Sequence, residues 1–86
     1  MKKTNSYYVY ILLCDNGSYY TGYSNSPTHR LADHLKGKGA KYTRMHRPRK
    51  IVYLQRHRTR RAAMMGEHRI KTLTHEGKRR LIENAT

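Results

Sequence analysis

Neither Phe nor Trp occurs in this chain, so eight tyrosines supply all of its aromatic bulk. A buried tyrosine needs a partner for its hydroxyl, so a core built on tyrosine opens towards water or a ligand somewhere. The single cysteine, Cys14, excludes an internal disulfide and a thiolate zinc site, and it suits a reducing cytosol. Acid is scarce: five Asp and Glu stand against nineteen Lys and Arg. A two-metal nuclease centre normally needs several clustered carboxylates, and this chain has too few suitably placed. No apolar run approaches the roughly 18 residues of a membrane helix. MKKTNS followed by YYVYILLC only mimics a secretory leader. Its apolar stretch is short and tyrosine-rich, and no small-residue cleavage site follows. A soluble, cytoplasmic protein is expected.

What is abundant is positive charge. The formal net charge is +14 and the isoelectric point is about 10.4. The basic residues are spread over loops and helices rather than confined to a tail, which gives a folded surface a broad positive field suited to a polyanion. Nucleic acid is the expected partner, with an anionic membrane surface as the alternative. Eighty-six residues allow one domain, 1–86, with its core over about 7–83. At this size only about 60–65% of the chain's surface can be buried.

Residues 7–14, YYVYILLC, form a nearly continuous apolar run, the pattern of a central strand covered on both faces. Asp15-Asn16-Gly17 is a turn signal, and SYYTGYS makes a second strand. Asn25-Ser26-Pro27 reads as a cap with proline in the first turn of a helix that runs to about Lys36 and stops at Gly37. GKGAKYTRMHRPRK (37–50) reads as a basic, glycine-punctuated loop, and IVYLQR (51–56) as a third strand. Thr59 caps a second helix over about 60–72, with Ala62, Ala63, Met65, Ile70 and Leu73 as its apolar stripe. Thr74 opens a short final helix carrying Leu81 and Ile82. The expected fold is α/β in the α+β sense: a small three-stranded antiparallel sheet flanked by helices, in the order β-β-α-β-α-α. Its first strand lies centrally and the other two form the edges.

The first turn decides which way the tyrosines face. A two-residue Asn-Gly loop pairs Leu13 with Tyr20 and sets Tyr10 and Tyr20 on opposite faces. A three-residue loop with Gly17 in the left-handed conformation pairs Leu12 with Tyr20 and Tyr10 with Gly22. Tyr8, Tyr10 and Tyr20 then share a face, and Gly22 leaves room beside the Tyr10 ring. The sequence permits both loops; only the second makes a site.

On the first helix Arg30 and His34 lie four residues apart, on one side, bordering the Leu31/Leu35 stripe. On the second, Glu67 sits at the edge of the apolar stripe. The plain alternatives are a solvated Arg30 and His34, and an ion pair between Glu67 and Lys71. Of the other acids, Asp15 belongs to the turn, Asp33 points away from the first helix's core side, and Glu76 and Glu83 belong to the final helix. One carboxylate holding a single Mg²⁺, with waters and a substrate phosphate completing the shell, is chemically reasonable.

Taken together, these residues resemble a small stand-alone GIY-YIG domain, the nuclease module of some homing and restriction endonucleases and of bacterial excision repair. Tyr8-Val9-Tyr10 corresponds to its first motif, without the usual Gly and Ile, and Tyr20-Thr21-Gly22 to its second. Arg30 and His34 follow at R-x-x-x-H spacing, and Glu67 matches a later helical glutamate. The KGAKYT loop and the E-x-x-I-K of Glu67 to Lys71 are similar to a group of short bacterial members. The only late candidate for the family's supporting asparagine is Asn84, which is given no role.

The resemblance implies metal-dependent hydrolysis of a phosphodiester in DNA or another nucleic acid, structure-selective or weakly sequence-specific, with repair or recombination as the setting. Tyr10 is then the general base, or the relay that takes the water's proton. A free phenol has a pKa near 10, so cationic neighbours and the metal must favour the phenolate or share the load. Glu67 would anchor one Mg²⁺ or Mn²⁺ ion, Arg30 would clamp the scissile phosphate, and Tyr20 would hydrogen-bond the phosphate or the nucleophile. His34 would orient Tyr10 or shuttle a proton. Lys38, Lys41, Tyr42, Arg44, Arg47 and Arg49 are the loop candidates for flanking phosphates. No sequence-reading module accompanies them, so a protein partner for targeting is a further expectation. The reading from a different class is a non-catalytic nucleic-acid-binding domain that keeps the fold.

Overall fold

A computed structural model describes residues 6–85. The Lys2-Lys3 segment that mimics a leader lies outside the described residues. The elements run β1 (Tyr7–Cys14), β2 (Tyr19–Ser24), α1 (Pro27–Leu35), α2 (Lys41–Met45), β3 (Pro48–His57), α3 (Arg60–Lys71) and α4 (His75–Asn84). The sheet is antiparallel with β1 central, in the order β2-β1-β3. Burial explains that order. Val9, Tyr10, Ile11 and Leu12 are all buried, and only a middle strand covered on both faces can hide four consecutive side chains.

The hairpin takes the three-residue loop. Cys14 N–H donates to the Ser18 carbonyl and Gly17 N–H to the Cys14 carbonyl. Gly17 has φ of 83°, a conformation that favours glycine. The register follows: Leu12 faces Tyr20 and Tyr10 faces Gly22. Opposed residues share a face and alternate residues stay on it. Tyr8, Tyr10 and Tyr20 therefore lie together, with Val9, Ile11, Tyr19 and Tyr23 on the other side.

That other side carries the hydrophobic core. Val9 and Ile11 pack with Ala63 and Ile70 of α3, and Tyr7, Tyr19, Tyr23, Val52, Tyr53, Leu81 and Ile82 close around them. Thr59 and Thr74 cap α3 and α4, their hydroxyls accepting from Ala62 and Gly77 N–H at 3.0 Å each. The buried stripe of α3 is Ala63, Gly66 and Ile70 rather than the wider set expected. Met65 and Leu73 face solvent. A Cβ at Gly66 would meet His57 and Val9 at 3.0 and 3.3 Å, so the helix lies closely against the sheet at that glycine.

Two boundaries differ from expectation. The 37–50 segment is not a continuous loop, because Lys41–Met45 winds into α2 and β3 already begins at Pro48. The order is thus β-β-α-α-β-α-α. A five-residue helix is too short to print a periodic apolar stripe, and only Thr43 in it is buried. Among the described residues no helix is long and apolar enough to cross a membrane.

Candidate active site

On the tyrosine-bearing face of the sheet lie α1 and α2, and the one fully buried side chain of each, His34 and Thr43, is polar. Pro27 sets the first turn of α1, Ser26 precedes it as cap, and the helix ends before Gly37, whose φ is 79°. The only buried side chain of α1 is His34, 2% exposed. Its imidazole is bonded at both nitrogens. Nε2 lies 3.3 Å from the Tyr10 hydroxyl, and Nδ1 lies 2.6 Å from Thr43 Oγ1 on α2. A helix position that looks like one rim of an amphipathic stripe is therefore a buried polar hub.

Two glycines make that hub possible. A Cβ on Gly22 would stand 2.6 Å from the Tyr10 phenol oxygen, and one on Gly39 would overlap the His34 ring. Tyr20 meets the same imidazole edge-on, ring centres 5.3 Å apart, and Tyr42 stacks on the outer side of Tyr20 at 6.2 Å. His46 extends the row, 4.8 Å from Tyr42, and is tied to Asn16 of the hairpin turn at 3.1 Å.

The charges around Tyr10 define the site's electrostatics. Burial pushes its phenol pKa up, the Tyr20 phenol adds to that, the Arg30 guanidinium pulls it down, and the Glu67 carboxylate raises it again. The net direction is upward, so Tyr10 is a neutral phenol at pH 7. Arg30 is present, but the loss of water around the ring outweighs it, so this cation by itself does not make a phenolate. Burial lowers the His34 pKa, Arg30 lowers it further and Asp33 opposes. His34 is consequently a neutral acceptor or donor at pH 7, not a cation.

A model of the GIY-YIG catalytic domain matches residues 6–80. The chain belongs to the GIY-YIG family. A UPF0213 protein of Bacillus licheniformis is 47% identical over 81 residues, which span 94% of this chain and 84% of that protein. A UPF0213 protein of Staphylococcus aureus is 43% identical over 79 residues, 92% and 96% of the two chains. Among solved structures, the solution NMR structure of an Enterococcus faecalis protein aligns at 37% identity with a TM-score of 0.65, covering 98% of this chain and 90% of that one. The solution NMR structure of the Bacillus halodurans UPF0213 protein aligns at 40% identity with a TM-score of 0.58, covering 91% and 83%.

Within this GIY-YIG domain, Tyr10, Tyr20, Arg30 and His34 come together, and Glu67 is near enough for its charge to act on the Tyr10 phenol. Glu67 stands on α3, the helix of the opposite layer, half-buried, with its carboxylate 3.4 Å from Lys71 Nζ. Lys38, Lys41, Tyr42, Arg44, Arg47 and Arg49 are all solvent-exposed. Of these, Tyr42 reaches the rim of the site through its stack on Tyr20.

Asp33 lies off the core side of α1, half-buried, between Arg30 and the exposed His29, and its carboxylate is 3.6 Å from the Arg30 guanidinium one helical turn back. At i, i+3 the two side chains are neighbours, and few other acids compete. Glu76 and Glu83 pair with Arg79 on the exposed side of α4. Asn84 ends that helix in solvent. Two residues at the site escaped sequence reasoning, Thr43 and Asp33. The KGAKYT stretch was the visible signal for Thr43, but nothing local tells its buried hydroxyl from the exposed tyrosine beside it.

The donor set bears on a metal ion. Among the described residues, no three His, Cys, Asp or Glu side chains gather where they could hold one. Mg²⁺ retains most of its water and is commonly held through one or two carboxylates plus substrate phosphate. Glu67 alone fits such a hydrated ion and fits no dehydrated cage.

Proposed function

We propose that this GIY-YIG domain is an endonuclease that hydrolyses phosphodiester bonds in DNA, structure-selective or weakly sequence-specific, with one Mg²⁺ or Mn²⁺ ion. The single supporting observation is the set of groups acting on one phenol. The Tyr10 hydroxyl contacts His34, while Tyr20, Arg30 and Glu67 all bear on its ionisation. Tyr10 and His34, both shifted and in contact, are the kind of pair that proton transfer in a reaction centre uses.

Because Tyr10 is held as a phenol, it acts as a relay and not as a standing base. Its oxygen takes the proton of the attacking water while its own proton passes to His34 Nε2. The oxygen of that water bonds to phosphorus and the 3′ oxygen leaves. The 3.3 Å contact between phenol and imidazole is long for such a bond, as is common before substrate tightens a site. Arg30, oriented by Asp33, clamps the scissile phosphate through a charge-assisted bond. Tyr20 donates to the same phosphate. Glu67 would hold the divalent ion, which offsets negative charge developing on the leaving oxygen. Lys38, Lys41, Tyr42, Arg44, Arg47 and Arg49 would carry flanking phosphates, which position a strand without reading it. The buried free thiol of Cys14 suits a cytoplasmic setting, where repair or recombination supplies branched or nicked DNA.

The test is a panel of nicked, branched, single- and double-stranded DNA, and RNA, each with Mg²⁺, with Mn²⁺ and with EDTA. Metal-dependent scission of DNA supports the proposal. Tight binding without scission supports the second reading, a non-catalytic binding domain. The observation in favour of that reading is Glu67, the carboxylate that would hold the ion, paired with Lys71.

A further inference from the structure

We infer that Thr43 is a positioning residue: its hydroxyl fixes His34 as the Nδ1–H tautomer, so that Nε2 offers a lone pair to Tyr10. This rests on the nuclease reading for its catalytic meaning, although the tautomer itself does not.

The direction of each bond follows from which groups can donate. Thr43 Oγ1 has one proton, and it points at the Ala40 carbonyl, 2.9 Å away and three residues back. While that bond is made, the same oxygen, 2.6 Å from His34 Nδ1, accepts there and Nδ1 carries the ring's proton. A neutral imidazole has one N–H. Nε2 is therefore bare, and the Tyr10 hydroxyl at 3.3 Å donates to it. Arg30, the cation beside the same phenol, has donors only and is no substitute acceptor. The chain reads Tyr10 O–H to Nε2, Nδ1–H to Thr43 Oγ1, and Thr43 O–H to the Ala40 carbonyl.

Burial confines the imidazole to these two partners. His34 and Thr43 are each 2% exposed, so water does not compete for either nitrogen. The backbone at Gly39 closes against the ring, leaving no space for the imidazole to swing away. The opposite tautomer would turn the Thr43 proton from Ala40 to Nδ1 and aim an N–H at the phenol oxygen. Tyr10 would then have no base to receive its proton. A threonine at this place on α2 thus decides whether His34 is an acceptor for the relay or an obstacle to it.

Long-range ¹H–¹⁵N correlation spectra of the ¹⁵N-labelled protein, without substrate and above the histidine pKa, read the tautomer directly. The wild type is expected to show His34 as Nδ1–H, Thr43→Ser to keep that pattern, and Thr43→Val to lose it to a mixture or to Nε2–H. In single-turnover cleavage Thr43→Val should slow the chemical step by about 10- to 100-fold, with little change in KM, and Thr43→Ser should restore it. An Nε2–H pattern in the wild type, or an unchanged pattern in Thr43→Val, overturns the inference. Should Thr43→Val fail to fold, the wild-type and Thr43→Ser spectra still decide. An Nδ1–H pattern in a protein that never cuts contradicts the nuclease reading and leaves the role of Thr43 in the tautomer standing. An Nε2–H pattern in a protein that cuts does the reverse.

Discussion

Gly22 faces Tyr10 across the β1–β2 ladder, and the space its missing side chain leaves is filled by the phenol: a Cβ there would stand 2.6 Å from the hydroxyl oxygen and 2.8 Å from the ring carbon bearing it. Both atoms belong to a ring that His34 holds from the far side, so the ring cannot retreat without breaking that contact. Gly22→Ala should cost about 1–3 kcal/mol by overpacking and displace Tyr10. Urea denaturation measures the first effect, and loss of scission in protein that remains folded measures the second.

Tyr10→Phe removes the relay and keeps the ring. Scission should fall by about 10²–10⁴-fold, the usual worth of a positioned proton carrier, while DNA binding stays within about twofold. His34→Ala should act on the same step, so the double variant should be no worse than the more damaged single one. Single-turnover rates of the three variants check this.

The sheet order was legible in the sequence, and short-range turn rules narrowed the hairpin register to two. The Asp15-Asn16-Gly17 turn admits two loops, and only one sets the tyrosines together; the structure takes that one. The apolar run of β1 announced a central strand, and Thr59 and Thr74 announced their helices. Less legible were features set by tertiary contact. Whether Tyr10 ionises depends on a balance between burial and Arg30 that no local pattern encodes. Met65 reads as core, yet the buried line of α3 runs through Ala63, Gly66 and Ile70, at least about 100° round the helix from it, and the methionine faces outward. Asp33 reads as turned from the core side of α1, and its pairing there with Arg30 is a contact that the apolar stripe does not display.

His34 also ties stability to pH. Its folded pKa lies below the ordinary histidine value of about 6.5, so the unfolded chain binds the proton more readily. The stabilisation from keeping His34 neutral is complete above that ordinary value and is lost as pH falls through the depressed folded value. The wild type should lose more stability than His34→Gln between pH 7.5 and the acid side of that window. Paired urea titrations at each pH make the comparison and subtract the other histidines.

Affinity for DNA should fall steeply with salt, since each neutralised phosphate of a duplex contributes a slope of about −0.9 in log–log terms. Replacing Lys41 and Arg44 with alanine should flatten that slope and weaken all duplex sequences alike. Fluorescence anisotropy across a salt series reads both effects, and a flat wild-type response would exclude nucleic acid as the partner.

The most direct measurement is scission and binding side by side for Glu67→Ala and Arg30→Ala with Mg²⁺ present. Both variants should bind branched or nicked DNA nearly as the wild type does and cut it at least about 100-fold more slowly. Cutting by Glu67→Ala at the wild-type rate would contradict the assignment of this surface as the place where the phosphodiester is broken.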